Sequence, residues 1–360
     1  MKLDHLPSLG SKRRGIALIM VLMVVTVLAV LAGGFAYSMK VETKLARNAS
    51  WESEFEWLGR SGVEIARFAL AQRSQAGGAY DALGQAWAGG THETNDLVAE
   101  LLGKPLSFLP VSDATIIVTI EDEERRMSIN HADRMLLDHA MSLVKVDAAV
   151  GPAIVAAIID WRDNGDQVEV GGAETSYYSG LNSPYRAKNG PLSDIFELLL
   201  VRGITEDPGV FWGPDAPPNM RRRAELGGAD EVLGYPVGLK QLFTANSLGR
   251  LNLNTADVRT MLVIPFMDEQ SAERIREMRS GPNRVDGDSD DEPLRSVQQV
   301  QGILSPPLRD IIAQYADVRS GTFRVITKVR AGKLFRTYEA VIQGRGARSD
   351  IRSFIWRDGK

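Results

Sequence analysis

The chain has 360 residues, 44% of them hydrophobic, with a formal net charge of -4 and no cysteine. The length allows one large or two ordinary domains beyond an anchor. The missing cysteines exclude disulfides, thiolate metal sites and cysteine nucleophiles, and the acidic balance argues against a general polyanion binder.

The first element is a helix. Lys12, Arg13, Arg14 and Gly15 lead into an apolar run from Ile16 to Tyr37 that only Thr26 interrupts with a polar group. At about 1.5 Å per residue, about 20 such residues span a bilayer core of roughly 30 Å. The basic flank should stay in the cytoplasm while the rest crosses, giving a single-pass membrane protein with its C-terminal domain on the far side. Beyond Tyr37 the run becomes amphipathic: Met39, Val41, Leu45, Phe55, Leu58, Val63, Phe68 and Leu70 recur at helical spacing, and no proline occurs between Gly15 and Arg73. One long helix is therefore expected, apolar first and amphipathic afterwards.

A basic leader ending in glycine ahead of such a helix resembles the class III signal of type IV pilins and type II secretion pseudopilins. The resemblance implies that a prepilin peptidase cuts after Gly15 and that Ile16 becomes an N-methylated first residue. Most members of that superfamily carry Glu at the fifth mature position; counting from Ile16, this chain has Met20 there. A carboxylate in lipid is costly unless a partner neutralises it. In the family that partner is the terminal amine of a neighbour already in the filament, which a first-entering subunit lacks. An apolar fifth residue thus fits a tip subunit.

After a weakly patterned, Gly-rich connection from Gly77 to Gly103, Ala114–Glu121 alternates and is β-branched, which reads as a strand. Strand signals then stop until Thr322–Arg330 and Leu334–Ile342, a hairpin around Ala331-Gly332-Lys333. The pattern predicts an α+β fold: a long N-terminal helix on a small antiparallel sheet, with a large, mainly α-helical domain inserted between strands. The expected organisation is a leader at 1–15, a transmembrane half-helix at 16–37, the amphipathic helix and first part of the α/β layer at 38–127, the insert at 128–316, and a C-terminal hairpin and tail at 317–360.

The insert carries a weak internal repeat. Ser128-Ile129-Asn130-His131-Ala132-Asp133 matches Leu251-Asn252-Leu253-Asn254-Thr255-Ala256-Asp257, each followed by a helical pattern, Val150–Trp161 and Ser271–Met278. Such segments open helix-hairpin-helix and sterile-alpha-motif-like units, and their Asn, Thr or Asp can cap helices. Related units bind DNA through a glycine-bearing hairpin. Here the second hairpin, Ile264-Pro265-Phe266-Met267, has no glycine, and few basic residues surround Val150-Gly151-Pro152. Phosphate binding needs clustered Lys and Arg, so no nucleic acid is expected. A membrane-anchored helix-hairpin-helix DNA-binding module of competence type remains the alternative.

Between the two copies lie Asp160-Trp161-Arg162-Asp163-Asn164-Gly165-Asp166, Gly172-Ala173-Glu174-Thr175-Ser176-Tyr177-Tyr178, Pro184-Tyr185…Asn189-Gly190-Pro191-Leu192 and Glu197-Leu198…Val201-Arg202-Gly203. These blocks resemble the minor pseudopilins of the K class of type II secretion systems. The resemblance implies a subunit at the tip of the pseudopilus that supports export of folded proteins across the outer membrane, with minor pseudopilins of the I and J classes as partners. Asp163, Asp166 and Glu174 sit on glycine-punctuated backbone suited to a hard cation with six to eight oxygen ligands, and the resemblance implies calcium. Gly165 stands where a third carboxylate of the family pattern is expected. Asp286–Glu292 is a second candidate for a hard cation, with a solvated acidic turn as the favoured alternative. No nucleophile elbow or other catalytic constellation is visible, so no catalytic residue and no enzymatic activity are expected.

Overall fold

The computed structural model describes residues 13–75, 79–91, 96–107, 113–217, 235–345 and 348–357. Leader residues 1–12, with His5, lie outside the described set, as does His92. The chain divides into two units, Met1–Leu58 and Gly59–Lys360. Helix α1 (Arg13–Gln75) begins in the first and ends in the second.

In the first unit the side chains from Ile16 to Tyr37 are exposed, as a membrane-spanning surface requires, and the stretch is long and apolar enough to cross a bilayer. Its threonine hydroxyl is satisfied locally: Thr26 Oγ1 donates to the Leu22 carbonyl at 2.7 Å, which spares it an unpaired donor in an apolar setting. Farther along, Phe55 and Leu58 are buried, at 3% and 7% exposure.

In the second unit the end of α1 lies on a five-stranded antiparallel sheet of order β1-β2-β7-β8-β9, with β1 at Leu106–Ser107, β2 at Thr115–Asp122, β7 at Thr322–Ala331, β8 at Leu334–Arg345 and β9 at Arg348–Arg357. The period-2 pattern of β2 buries Ile116, Val118 and Ile120, while α1 buries Val63, Ala66, Ala69 and Leu70 at helical spacing. Two glycines set how closely helix and sheet approach. A Cβ on Gly59 would lie 2.6 Å from the Tyr338 ring, and one on Gly62 would lie 2.4 Å from Thr327 Oγ1. The hairpin turns through Gly332 and Lys333, where Gly332 has φ 58° and no side chain to strain. The C-terminal stretch expected as a tail is instead the edge strand β9, paired along β8 from Arg345↔Arg348 to Thr337↔Arg357.

The sheet breaks off at Asp122 and resumes at Thr322, and Asp122 pairs with Phe323 across β2 and β7. The insert therefore leaves and returns through one neck. Inside it, the weak sequence repeat is a structural duplication. The first copy holds α2 (Arg134–Val144) and α3 (Gly151–Arg162), and the second a short helix Val258–Met261 and α4 (Glu269–Arg279). Each copy opens on a two-residue strand that pairs in parallel with a later one: β3 (Met127–Ser128) with β4 (Phe243–Thr244), and β5 (Leu251–Asn252) with β6 (Ala316–Asp317).

The same polar clamps recur in both copies. Asn130 accepts from the Leu192 N–H at 2.8 Å and donates to its carbonyl at 2.9 Å; Asn254 grips Leu294 in the same way, at 2.8 Å both ways. Arg162 donates to the carbonyls of Ile129 and Ala132, and Arg279 to those of Leu253 and Ala256. Asp133 and Asp257 cap the helices that follow. One continuous core of both copies surrounds these clamps, from Met127 and Ile129 through Trp161, Tyr178 and Phe211 to Leu308 and Ile312.

Candidate metal centre

The Arg162 clamp fixes where α3 ends, and the loop that follows carries the acidic residues. Asp160 sits in the last turn of α3, fully buried, and Asp163 is the C-cap. The Asp163 Oδ1 accepts the Gly165 N–H at 3.0 Å, which turns the chain away from the helix axis. The loop then folds back over Asp160, whose two oxygens accept the Glu169 N–H at 3.1 and 3.3 Å. Gly172 makes the return possible, because a Cβ there would lie 2.0 Å from Asp160 Oδ2. Arg202 holds the Gly172 carbonyl at 3.0 Å, and Glu174 opens the short helix Thr175–Ser179.

Asp160, Asp163 and Glu174 meet there, with one carboxylate oxygen from each lying within 4.8 Å of the others. Glu174 is 1% exposed, and among the described residues neither of its carboxylate oxygens has a hydrogen-bond partner. Burial raises its pKa, and the charges of Asp160 and Asp163 add to the shift. Asp160 is raised by burial too, against the Ala173 N–H that lowers it, with Asp163 adding to the rise. Three close carboxylates, one of them buried and orphaned, are costly when ionised unless a cation joins them. The donors are all hard oxygens, which suits calcium and disfavours softer metals. The donor set fits the ion the sequence suggested.

Of the three residues the sequence singled out, Asp163 and Glu174 come together. Asp166 lies outside the trio: its Oδ1 accepts from Asn189 Nδ2 at 3.1 Å, and the same amide donates to the Gly165 carbonyl at 2.6 Å. Its charge still contributes to the raised pKa of Glu174. Asp160 was not singled out by the sequence, although its spacing of three from Asp163 at a helix end puts both carboxylates on one side. Asn189 also went unassigned; it holds φ 49°, and its buried Oδ1 has no hydrogen-bond partner among the described residues.

The acidic stretch Asp286–Glu292 is differently built. Arg279 takes Asp286 through two bonds of 2.9 and 3.0 Å, and Asn283 bridges Asp288 and Asp290 at 2.6 and 2.7 Å. Asp291 accepts the Gly287 N–H at 2.9 Å and keeps one oxygen unpartnered. In the second hairpin, exposed Phe266 takes φ 64°, a left-handed conformation that favours glycine.

An apolar N-terminal helix, an antiparallel sheet packed on that helix's end and a duplicated helical insert at the sheet's neck make up a pseudopilin-like fold. Residues 117–208 match the family model described as type II secretion system (T2SS), protein K. The chain is 26% identical over 345 residues to the type II secretion system protein K of Pectobacterium carotovorum subsp. carotovorum, covering 89% of this chain and 90% of that protein. It is also 26% identical over 206 residues to the Aeromonas hydrophila protein of the same name, spanning 54% of this chain and 60% of that relative. A chain in the crystal structure of the GspK-GspI-GspJ complex from the enterotoxigenic Escherichia coli type 2 secretion system shares the fold, with a TM-score of 0.62 at 17% identity, over 87% of this chain and 99% of that one. The chain is thus similar to type II secretion system protein K, by the family model over residues 117–208 and by these relatives beyond it.

Proposed function

We propose that this protein is a minor pseudopilin that caps the tip of a type II secretion pseudopilus and so supports export of folded proteins across the outer membrane. The observation that carries the reading is the large duplicated insert emerging from the neck of a pilin-like sheet, at Asp122 and Thr322. A subunit widened in this way suits one terminal position better than repeated stacking in a thin filament. Met20 in place of the usual Glu supports entry as the first subunit. Partners of the I and J classes follow from the GspK-GspI-GspJ complex named for the solved neighbour.

Processing by a prepilin peptidase after Gly15, with Ile16 as the methylated N-terminus, belongs to the same reading, as does an inner-membrane anchor with a periplasmic domain before assembly. Calcium held by Asp160, Asp163 and Glu174 would tie the end of α3 to the start of the Tyr177-Tyr178 segment.

The test is co-expression of the full chain with a prepilin peptidase and the I- and J-class pseudopilins. The expected products are a chain beginning at Ile16 and a heteromeric complex that leaves homopolymers unformed. Substitutions should target the exposed stripe: Leu45 is 61% exposed, whereas a charge at buried Phe55 or Leu58 would act on folding first. Leu45→Asp should weaken the complex without lowering thermal stability. Filaments built from this chain alone, or a mature chain that retains residues before Gly15, overturn the proposal.

A further inference from the structure

Outside the acidic centre, the insert's base carries a recess of opposite character. It is lined by Arg125, Arg126, Val237, Gln241, Leu242, Asp257, Arg259 and Thr260 and has a volume of about 170 Å³. Three arginines and one aspartate line it, in a chain whose net charge is -4. Among the described residues, no hydrogen bond or ion pair ends on the guanidinium groups of Arg125, Arg126 or Arg259. The other polar walls are committed. Gln241 Oε1 accepts the Gly238 N–H at 2.8 Å and its Nε2 donates to Asp215 at 2.7 Å, while Asp257 caps the Arg259 N–H at 2.8 Å.

Unpaired arginines normally separate into solvent, because like charges repel and a guanidinium offers five donors that want acceptors. Here the backbone holds them together. Arg125 ends the 3₁₀ turn Glu123–Arg125 and Arg126 is its C-cap, while Arg259 lies in the first turn of the helix that Asp257 caps. Glu123, the carboxylate acting most strongly on Arg126, is already used, since it pairs with Arg324 at 2.6 Å. Burial holds the Arg126 guanidinium below its usual range; Glu123 opposes that shift, and Arg125 and Arg324 add to it.

We propose that this recess binds a compact oxyanion the size of sulfate or phosphate, with Arg125, Arg126 and Arg259 supplying the donors. Its volume holds one such group, and a guanidinium fork matches oxyanion geometry. The site is independent of the acidic centre, being built from the neck turn and the second copy of the repeat.

The test uses the full chain in detergent at low ionic strength, with sulfate as probe. Thermal melting should rise with sodium sulfate and stay flat with sodium chloride at matched ionic strength. Arg126→Gln and Arg259→Gln should each weaken sulfate binding at least about tenfold in calorimetry. Because Arg259 is exposed and its side chain has no bond to lose, Arg259→Gln should melt no lower than the wild type without sulfate, which keeps the test valid if Arg126→Gln fails to fold. An acetate arm separates planar from tetrahedral anions: sulfate selectivity supports the proposal, and stronger binding of acetate overturns its size and shape. Sulfate effects equal to those of chloride, or unchanged in Arg259→Gln, overturn the site itself.

Discussion

At the scale of single residues, the polar groups in this core are placed rather than tolerated, and Glu124 shows what that costs. It is buried, accepts the Leu248 N–H at 3.0 Å and the Thr322 N–H at 2.9 Å, and is pushed up to about 8 by burial and then by the charge of Asp122. A carboxyl whose pKa is higher in the fold than in the unfolded chain binds protons more tightly when folded. Its stabilisation is present in full below the unfolded value of 4.5 and is lost as the pH rises toward 8. Urea unfolding should therefore show lower stability at pH 8 than at pH 5, and Glu124→Gln, which cannot ionise, should reduce that difference; an unchanged pH dependence contradicts the assignment. Glu174 makes a second prediction of opposite sign in two buffers. With chelator, Glu174→Gln should raise the melting temperature by removing an orphaned buried charge, and with calcium it should lower it relative to the wild type by removing a ligand. A variant that shifts equally in both buffers argues for a purely structural glutamate.

At the scale of elements, Gly62 decides how α1 meets the sheet. In an exposed helix, Gly→Ala is stabilising by about 1 kcal/mol. Here the added methyl would meet Thr327, which is fully buried and cannot swing aside. Gly62→Ala should instead destabilise by about 1–3 kcal/mol in denaturant unfolding, and Thr327→Ala in the same chain should recover most of the loss; a stabilising Gly62→Ala would show that the helix lifts freely. This contact was not visible in the sequence, where Gly62 is only a weak spot in a helical pattern. The long helix, β2 and the β7–β8 hairpin were legible because their periodicities are long and strong. Strand β9 was not: Arg348-Ser349-Asp350-Ile351-Arg352-Ser353-Phe354 mixes charge and apolar residues, as an edge strand with one solvated side does. At the candidate centre, Asp163 and Glu174 were legible from the glycine-rich loop, whereas Asp160 was hidden inside an otherwise apolar helix. Asn130 and Asn254 were read as caps, but their amides clamp backbone across 62 and 40 residues, and sequence carries no trace of such pairings.

At the scale of the whole molecule, the question is whether sheet and insert unfold together. The neck is held by one buried polar network centred on Asn252. Its amide donates to the Asp81 carbonyl at 2.9 Å, Ser320 Oγ at 2.8 Å and Asp122 Oδ2 at 3.2 Å, and its Oδ1 accepts the Asn254 N–H at 2.9 Å. Ser320 in turn donates to Asp122 at 2.6 Å and to Asp81 at 2.7 Å. Asp122 ends β2, Ser320 leads into β7 and Asn252 starts the second repeat, so this one side chain joins both sides of the neck. Asn252→Ala leaves several buried groups short of partners, each costing about 1–3 kcal/mol. The loss falls on the junction and leaves each side's own core intact. Calorimetry of the full chain in detergent should show one cooperative transition for the wild type, and two for Asn252→Ala. Asn254→Ala is the control, because its amide binds Leu294 within the insert alone. It should lower the melting temperature and keep a single transition. If Asn252→Ala melts in one transition as sharp as the wild type, the coupling resides in apolar packing across the neck and not in this network.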